Sequence, residues 1–119
     1  MARILLAEDD PSMRGFLARA LIKAGHGVVD VPDGEAAMRW LNKSEFDLLL
    51  ADIVMPGING IDLAKQANND APKLKIMLIT GFAAVAFKAR GEISANAKVL
   101  SKPFHLNTLV DEVSKLLAA

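Results

Sequence analysis

The chain has no cysteine and no tyrosine, and only one tryptophan and five phenylalanines among its 119 residues. Without cysteine there can be no disulfide scaffold, no thiolate-bound zinc and no thiol nucleophile, while the redox compartment stays open. Charge of one sign is also missing, since 14 Lys and Arg balance 14 Asp and Glu. No global basic field is available to hold a phosphate backbone, so nucleic acid is not expected as the main partner. Apolar runs are short, Ile76–Ile79 and Ala83–Phe87 among them, and none approaches the ~20 residues of a membrane span. The first apolar run, Ile4 to Ala7, meets Glu8 too early for a secretory leader. A cytoplasmic protein with no membrane partner is the expectation. The length, the 52% apolar content and the absence of linkers, repeats or low-complexity stretches favour one packed domain over residues 1–119.

What is present is an alternation. Ile4–Ala7, Val28–Val31, Leu48–Ala51, Ile76–Ile79 and Val99–Leu100 read as short buried strands. Between them run amphipathic stretches. Asp10 caps a helix with Pro11 at its first position, Met13, Phe16, Leu17, Ala20, Leu21 and Ala24 form its stripe, and Gly25 ends it. Asp33 caps a second helix carrying Ala37, Met38, Trp40 and Leu41, and Ile61, Ala64 and Ala67 suggest a short third. Residues 82–91 are assigned a fourth helix, either core-facing or an exposed docking patch with Phe82, Val85 and Phe87. His105 starts the last helix, with Leu106, Leu109, Val110, Val113, Leu116 and Leu117 as its stripe. Five strands alternating with five helices imply right-handed crossovers and a doubly wound parallel sheet, with ligands at the carboxyl ends of the strands.

The chemistry gathers at those ends. Glu8, Asp9 and Asp10 follow strand one, Asp52 follows strand three, Thr80 ends strand four, and Ser101-Lys102 end strand five. Carboxylates ~4 Å apart repel by ~4 kcal/mol at an effective dielectric of 20. A hard divalent cation removes that cost, and carboxylate and water ligands suit Mg²⁺. A metal-neutralised Asp could attack phosphorus to give an aspartyl phosphate, with a hydroxyl and an ammonium donating to the phosphoryl oxygens. The plainer alternatives are a helix N-terminus rich in acids for Glu8, Asp9 and Asp10, with capping the expected role of Asp10, and a turn-forming role for Asp52. His26 and His105 have no partner at ligand spacing.

Ile4-Leu5-Leu6-Ala7-Glu8-Asp9-Asp10, Leu50-Ala51-Asp52-Ile53-Val54-Met55-Pro56-Gly57, Asn59-Gly60, Ile79-Thr80-Gly81 and Lys102-Pro103-Phe104 resemble, in order and spacing, the response-regulator receiver domains of the CheY-like family. The resemblance implies a flavodoxin-like fold with strand order 2-1-3-4-5. It implies Asp52 as phosphoacceptor and Mg²⁺ ligated by Asp9, Asp52 and the carbonyl of Val54, with Glu8 acting through a metal-bound water. It further implies Thr80 and Lys102 as phosphoryl contacts and a cis Lys102-Pro103 bond. Such a protein catalyses its own phosphoryl transfer and dephosphorylation and is not otherwise an enzyme. Its donor is a histidine kinase or a histidine phosphotransfer protein. Three positions depart from the family pattern: Val99 stands where a switch aromatic is usual, Val54 is apolar, and Phe82 is bulky. Phe82 could shield the phosphoryl group and slow its hydrolysis.

Within the family, Arg3 to Asp10, Ser12-Met13-Arg14 and Phe16 to Leu21 resemble the single-domain CpdR type of alphaproteobacteria. That resemblance implies a downstream protein partner, ClpX or ClpXP, whose proteolysis the unphosphorylated form promotes. The tail Leu117-Ala118-Ala119 is either a fraying helix end or similar to endings read by ClpX-type unfoldases. Two other classes stay open: a phosphorelay shuttle or phosphate sink without a dedicated effector, and a flavodoxin-like cofactor enzyme. The latter needs a phosphate-binding loop rich in Gly and hydroxyls after strand one, where Glu8-Asp9-Asp10 stand instead.

Overall fold

The computed structural model describes residues 2–81, Ile93 and 97–119. The strands are β1 (Arg3–Ala7), β2 (Gly27–Val31), β3 (Leu48–Asp52), β4 (Lys75–Thr80) and β5 (Lys98–Ser101). The helices among the described residues are α1 (Pro11–Lys23), α2 (Gly34–Lys43), α3 (Gly60–Asp70) and α4 (Leu106–Ala118). The expected helix over 82–91, with Phe82, Val85 and Phe87, lies outside the described residues. The count of five helices is thus replaced by four among the residues described. No described helix is long and apolar enough to cross a membrane.

All strand pairs are parallel, in the order β2-β1-β3-β4-β5. Both faces are covered, so the central strands are apolar on both sides. Their period of two divides the core. Leu5, Ala7, Leu49, Ala51, Ile76, Leu78 and Val99 pack with Ala36 and Ala37 of α2 and Leu63, Ala64 and Ala67 of α3. Ile4, Leu6, Leu48, Leu50, Met77 and Ile79 pack on the opposite face with Leu17, Ala18 and Leu21 of α1 and Leu109 and Val113 of α4. A register slip of one residue in β1 or β3 would exchange these two sets, so the two cores together pin the strand ends.

The helix ends follow their side chains. Asp10 accepts from the Ser12 N–H at 3.1 Å with Pro11 at the first helical position. Asp33 accepts from the Ala36 N–H at 2.8 Å, and Asn59, a cap the sequence reading did not assign, accepts from the Asp62 N–H at 2.9 Å. α1 closes in a Schellman arrangement, the N–H of Gly25 on the Ile22 carbonyl and that of His26 on the Leu21 carbonyl, with Gly25 at φ 101°.

Three stripe positions are corrected. Phe16 is 55% exposed and Leu106 38% exposed, and Ala24, the C-cap residue of α1, is exposed as well. The buried line of α1 runs through Leu17 and Leu21, which leaves Phe16 on the flank under the Arg19 guanidinium, 5.2 Å from its ring centre. Leu106 opens α4, ahead of the turn where Leu109 and Val113 reach the sheet.

Gly60 ties α3 to the end of β3. A Cβ there would lie 2.8 Å from the Ile53 Cα and still closer to the Asp52 carbonyl oxygen. At Gly27 a Cβ would meet only the Ala2 carbonyl at 3.9 Å. Gly60→Ala is therefore expected to lose about 1–3 kcal/mol, and Gly27→Ala to stay within about 0.5 kcal/mol of the parent. Urea unfolding of both variants checks this, and equal midpoints would contradict the close approach.

Candidate functional site

Parallel pairing brings the carboxyl ends of β1, β3, β4 and β5 to one edge. Glu8 directly follows β1 and Asp52 is the last residue of β3. Asp52 is paired in register with Ile79, so Thr80 stands one step further along β4, opposite Ser101 of β5. The main chain of Lys102 is locked to the same edge, its N–H donating to the Thr80 carbonyl at 2.8 Å. The Lys102-Pro103 peptide is cis, as the family resemblance implied.

Glu8, Asp52 and Thr80 are the buried polar residues of the described chain, at 1%, 6% and 1% exposure. Glu8, Asp9 and Asp52 each offer one carboxylate oxygen, and these lie within 4.8 Å of one another. Asp52 Oδ1 accepts from the Val54 N–H at 3.0 Å, and Oδ2 accepts from Lys102 Nζ at 2.6 Å. Lys102 Nζ is also 3.6 Å from Glu8 Oε1. Glu8 Oε2 accepts from the Asp10 N–H at 3.2 Å, whereas Oε1 is buried without a hydrogen bond.

Burial pushes the Glu8 carboxyl up to about 7. The neighbouring Asp52 carboxylate adds to the rise, while the Asp10 N–H and Lys102 oppose it. For Lys102, burial works downward, but the hydrogen bond and charge of Asp52, with Glu8 behind them, hold the ammonium above the ordinary lysine value. One ammonium thus serves two buried carboxylates.

The donor set fits a small hard cation. It is all oxygen, one oxygen of Glu8 is buried without a hydrogen bond, and Asp9 is exposed, which leaves the cluster open to water ligands. Every site residue singled out from the sequence stands at this edge. Glu8, Asp9, Asp52 and Lys102 meet through side chains, and Val54, a residue 59% exposed, through its main chain. Thr80 is placed by its strand. Asp10 caps α1, as assigned. Neither His26 nor His105 is among the clustered acids; His26 Nδ1 accepts from the Ala2 N–H at 3.3 Å.

Arg14 was missed. Its Nη1 donates to the Glu8 carbonyl at 2.9 Å, and its Nε lies 3.4 Å from Asp30 Oδ2. A usable signal was its position, because a cation in the first turns of a helix opposes the dipole and calls for acceptors elsewhere.

The response regulator receiver domain profile matches residues 4–114. The chain is 55% identical over 119 residues to the response regulator receiver protein CpdR of Brucella abortus, covering 100% of this chain and 99% of that protein. The Thermotoga maritima response regulator TrrA, solved in complex with Mg²⁺ and BeF, superposes with a TM-score of 0.88 at 28% identity, over 98% of this chain and 99% of that one. The receiver domain of the hybrid histidine kinase CckA superposes with a TM-score of 0.82 at 32% identity, over 97% and 98% of the two chains.

The raised Glu8 value has a signed consequence. The unfolded carboxyl releases its proton near 4.5 and the folded one near 7. Between these values the unfolded chain holds fewer protons, so this group costs stability as pH rises, by about 3 kcal/mol across the window. Urea unfolding without divalent cations should therefore show Glu8→Gln gaining on the parent from pH 4.5 to pH 7. A constant difference between the two proteins would contradict the assignment.

Proposed function

The chain belongs to the response regulator receiver domain family, and on that premise we propose that Asp52 accepts a phosphoryl group from a histidine kinase or histidine phosphotransfer protein. The observation that carries this reading is the carboxylate of Asp52 at the end of the central strand β3, nearly buried, with Lys102 Nζ 2.6 Å from one oxygen. Transfer forms a P–O bond to an Asp52 oxygen as the P–N bond of the donor imidazole breaks. The electron pair of that bond returns to the imidazole nitrogen.

The chain's own groups are arranged for positioning and charge neutralisation rather than for proton transfer. The Val54 N–H holds Asp52 Oδ1 and so fixes the carboxylate plane. Lys102 is free to turn from Asp52 to the arriving phosphoryl oxygens, since its ammonium rides on a flexible stem. Thr80, at the end of β4, offers a hydroxyl from the same edge. Asp9, Asp52 and the Val54 carbonyl, with Glu8 acting through water, would hold a divalent cation, Mg²⁺ by its chemistry, which when bound would neutralise charge on the transferring group. Occupation of Asp52 adds negative charge where Lys102 already serves two carboxylates, and this biases the edge between two arrangements through Thr80 and Lys102. Val99 is buried in the core with no ring to swing, so the shift is carried by those two residues.

The function that follows is that of a stand-alone receiver in the cytoplasm, 1–119, catalysing its own phosphorylation and dephosphorylation. Its output is a protein contact, with CpdR-like control of ClpXP proteolysis by the unphosphorylated form. The full-length identity of 55% to CpdR supports this assignment. A purified phosphorylated histidine kinase with MgCl₂ is expected to label the wild-type chain and to leave Asp52→Ala unlabelled. ClpX should retain Asp52→Ala whatever the kinase state, and release the wild type once it is phosphorylated. Labelling of Asp52→Ala would overturn the acceptor, and equal ClpX retention of both proteins in both states would overturn the switch. Passage of the label onward to a second phosphotransfer protein, without ClpX binding, would establish the shuttle instead.

A further inference from the structure

Arg14 is the fourth residue of α1, where the helix dipole disfavours a cation. Its side chain is nevertheless only 20% exposed and bridges three elements. Through Nη1 it reaches the Glu8 carbonyl after β1, and through Nε the Asp30 carboxylate of β2, while its own main chain belongs to α1. The Glu8 main chain is consequently held on both sides, its N–H by the Val31 carbonyl at 3.0 Å and its carbonyl by Arg14 at 2.9 Å. The first bond holds the Ala7–Glu8 peptide and the second, from Arg14, holds the plane of the Glu8–Asp9 peptide. That plane decides where the carboxylate of Asp9, the exposed member of the cluster, is presented.

We propose that Arg14 is a positioning residue for the divalent-cation site, holding the Glu8–Asp9 peptide in the orientation that a small octahedral ion requires. The inference rests on the cation reading above and goes beyond it by assigning a residue that touches none of the three clustered carboxylate side chains. A charge effect would act in the opposite sense, because a guanidinium near three carboxylates weakens cation binding and its removal would tighten it. Ion choice separates the two. Mg²⁺ demands near-ideal octahedral geometry at about 2.0–2.1 Å, whereas Ca²⁺ accepts irregular ligand sets. A loosened peptide therefore loses Mg²⁺ more than Ca²⁺, while lost charge changes both alike.

The test is isothermal titration calorimetry of the full chain with MgCl₂ and with CaCl₂, for the wild type, Arg14→Ala and Asp30→Asn. Arg14→Ala is expected to weaken Mg²⁺ binding by about 10-fold or more, the usual cost of removing a group that orients a metal ligand, and Ca²⁺ binding by clearly less. Asp30→Asn should show a smaller loss with the same ion preference, and it decides the matter if Arg14→Ala does not fold. Unchanged Mg²⁺ affinity, tighter binding, or equal losses for both ions would overturn the proposal while leaving the cation site standing. A wild-type chain without Mg²⁺ affinity would overturn both.

Discussion

The contact on which the arrangement depends is the one between Lys102 and Asp52, at 2.6 Å. Two buried carboxylates, Glu8 and Asp52, share that one ammonium, and Asp9 adds a third carboxylate from the solvent side. Such crowding is unfavourable unless positive charge is close. The protein meets it in two ways visible in the geometry: Lys102 stands over Asp52, and Glu8 is pushed toward its neutral form. Even with both responses the cluster stays short of positive charge, and its all-oxygen donor set fits a small hard cation.

The scaffold exists to hold that shortage in place. Leu48, Leu49 and Leu50 are buried on both faces of β3, so Asp52 cannot retreat without moving both cores. Gly60 lets α3 press on the Asp52 main chain. The register of β4 with β5 fixes Thr80 opposite Ser101 and delivers Lys102 one residue later. Arg14 and Val31 grip the Glu8 main chain from the α1 and β2 sides. Each acidic residue of the site is thus borne by an element whose position is set by apolar packing, and the electrostatic cost is carried by a rigid frame.

Much of this was legible in the sequence, for physical reasons that differ by element. Ile4–Ala7 and Leu48–Ala51 are apolar without alternation, which in a short run signals a strand buried on both faces, and the structure has them at the centre. Asp10-Pro11 and Asp33 announce helix starts through local chemistry, and both cap as expected. Glu8, Asp9, Asp52 and Lys102 could be grouped because parallel pairing sends all strand ends to one edge. Phe16, Ala24 and Leu106 were misplaced because periodicity gives the centre of a stripe better than its margins, and on α1 the centre is Leu17 and Leu21. Arg14 was missed because its partners, a carbonyl at Glu8 and a carboxylate at Asp30, are joined only by tertiary structure. The Asn59 cap was hidden by the Pro56-to-Gly60 breakers, which read as one loop.

The most direct measurement is anomalous X-ray scattering from crystals grown with MnCl₂, Mn²⁺ serving as the scattering stand-in for Mg²⁺. The account predicts a peak bounded by the carboxylates of Glu8, Asp9 and Asp52 and the carbonyl of Val54, beside Lys102. No peak there in crystals that hold Mn²⁺ elsewhere would contradict it.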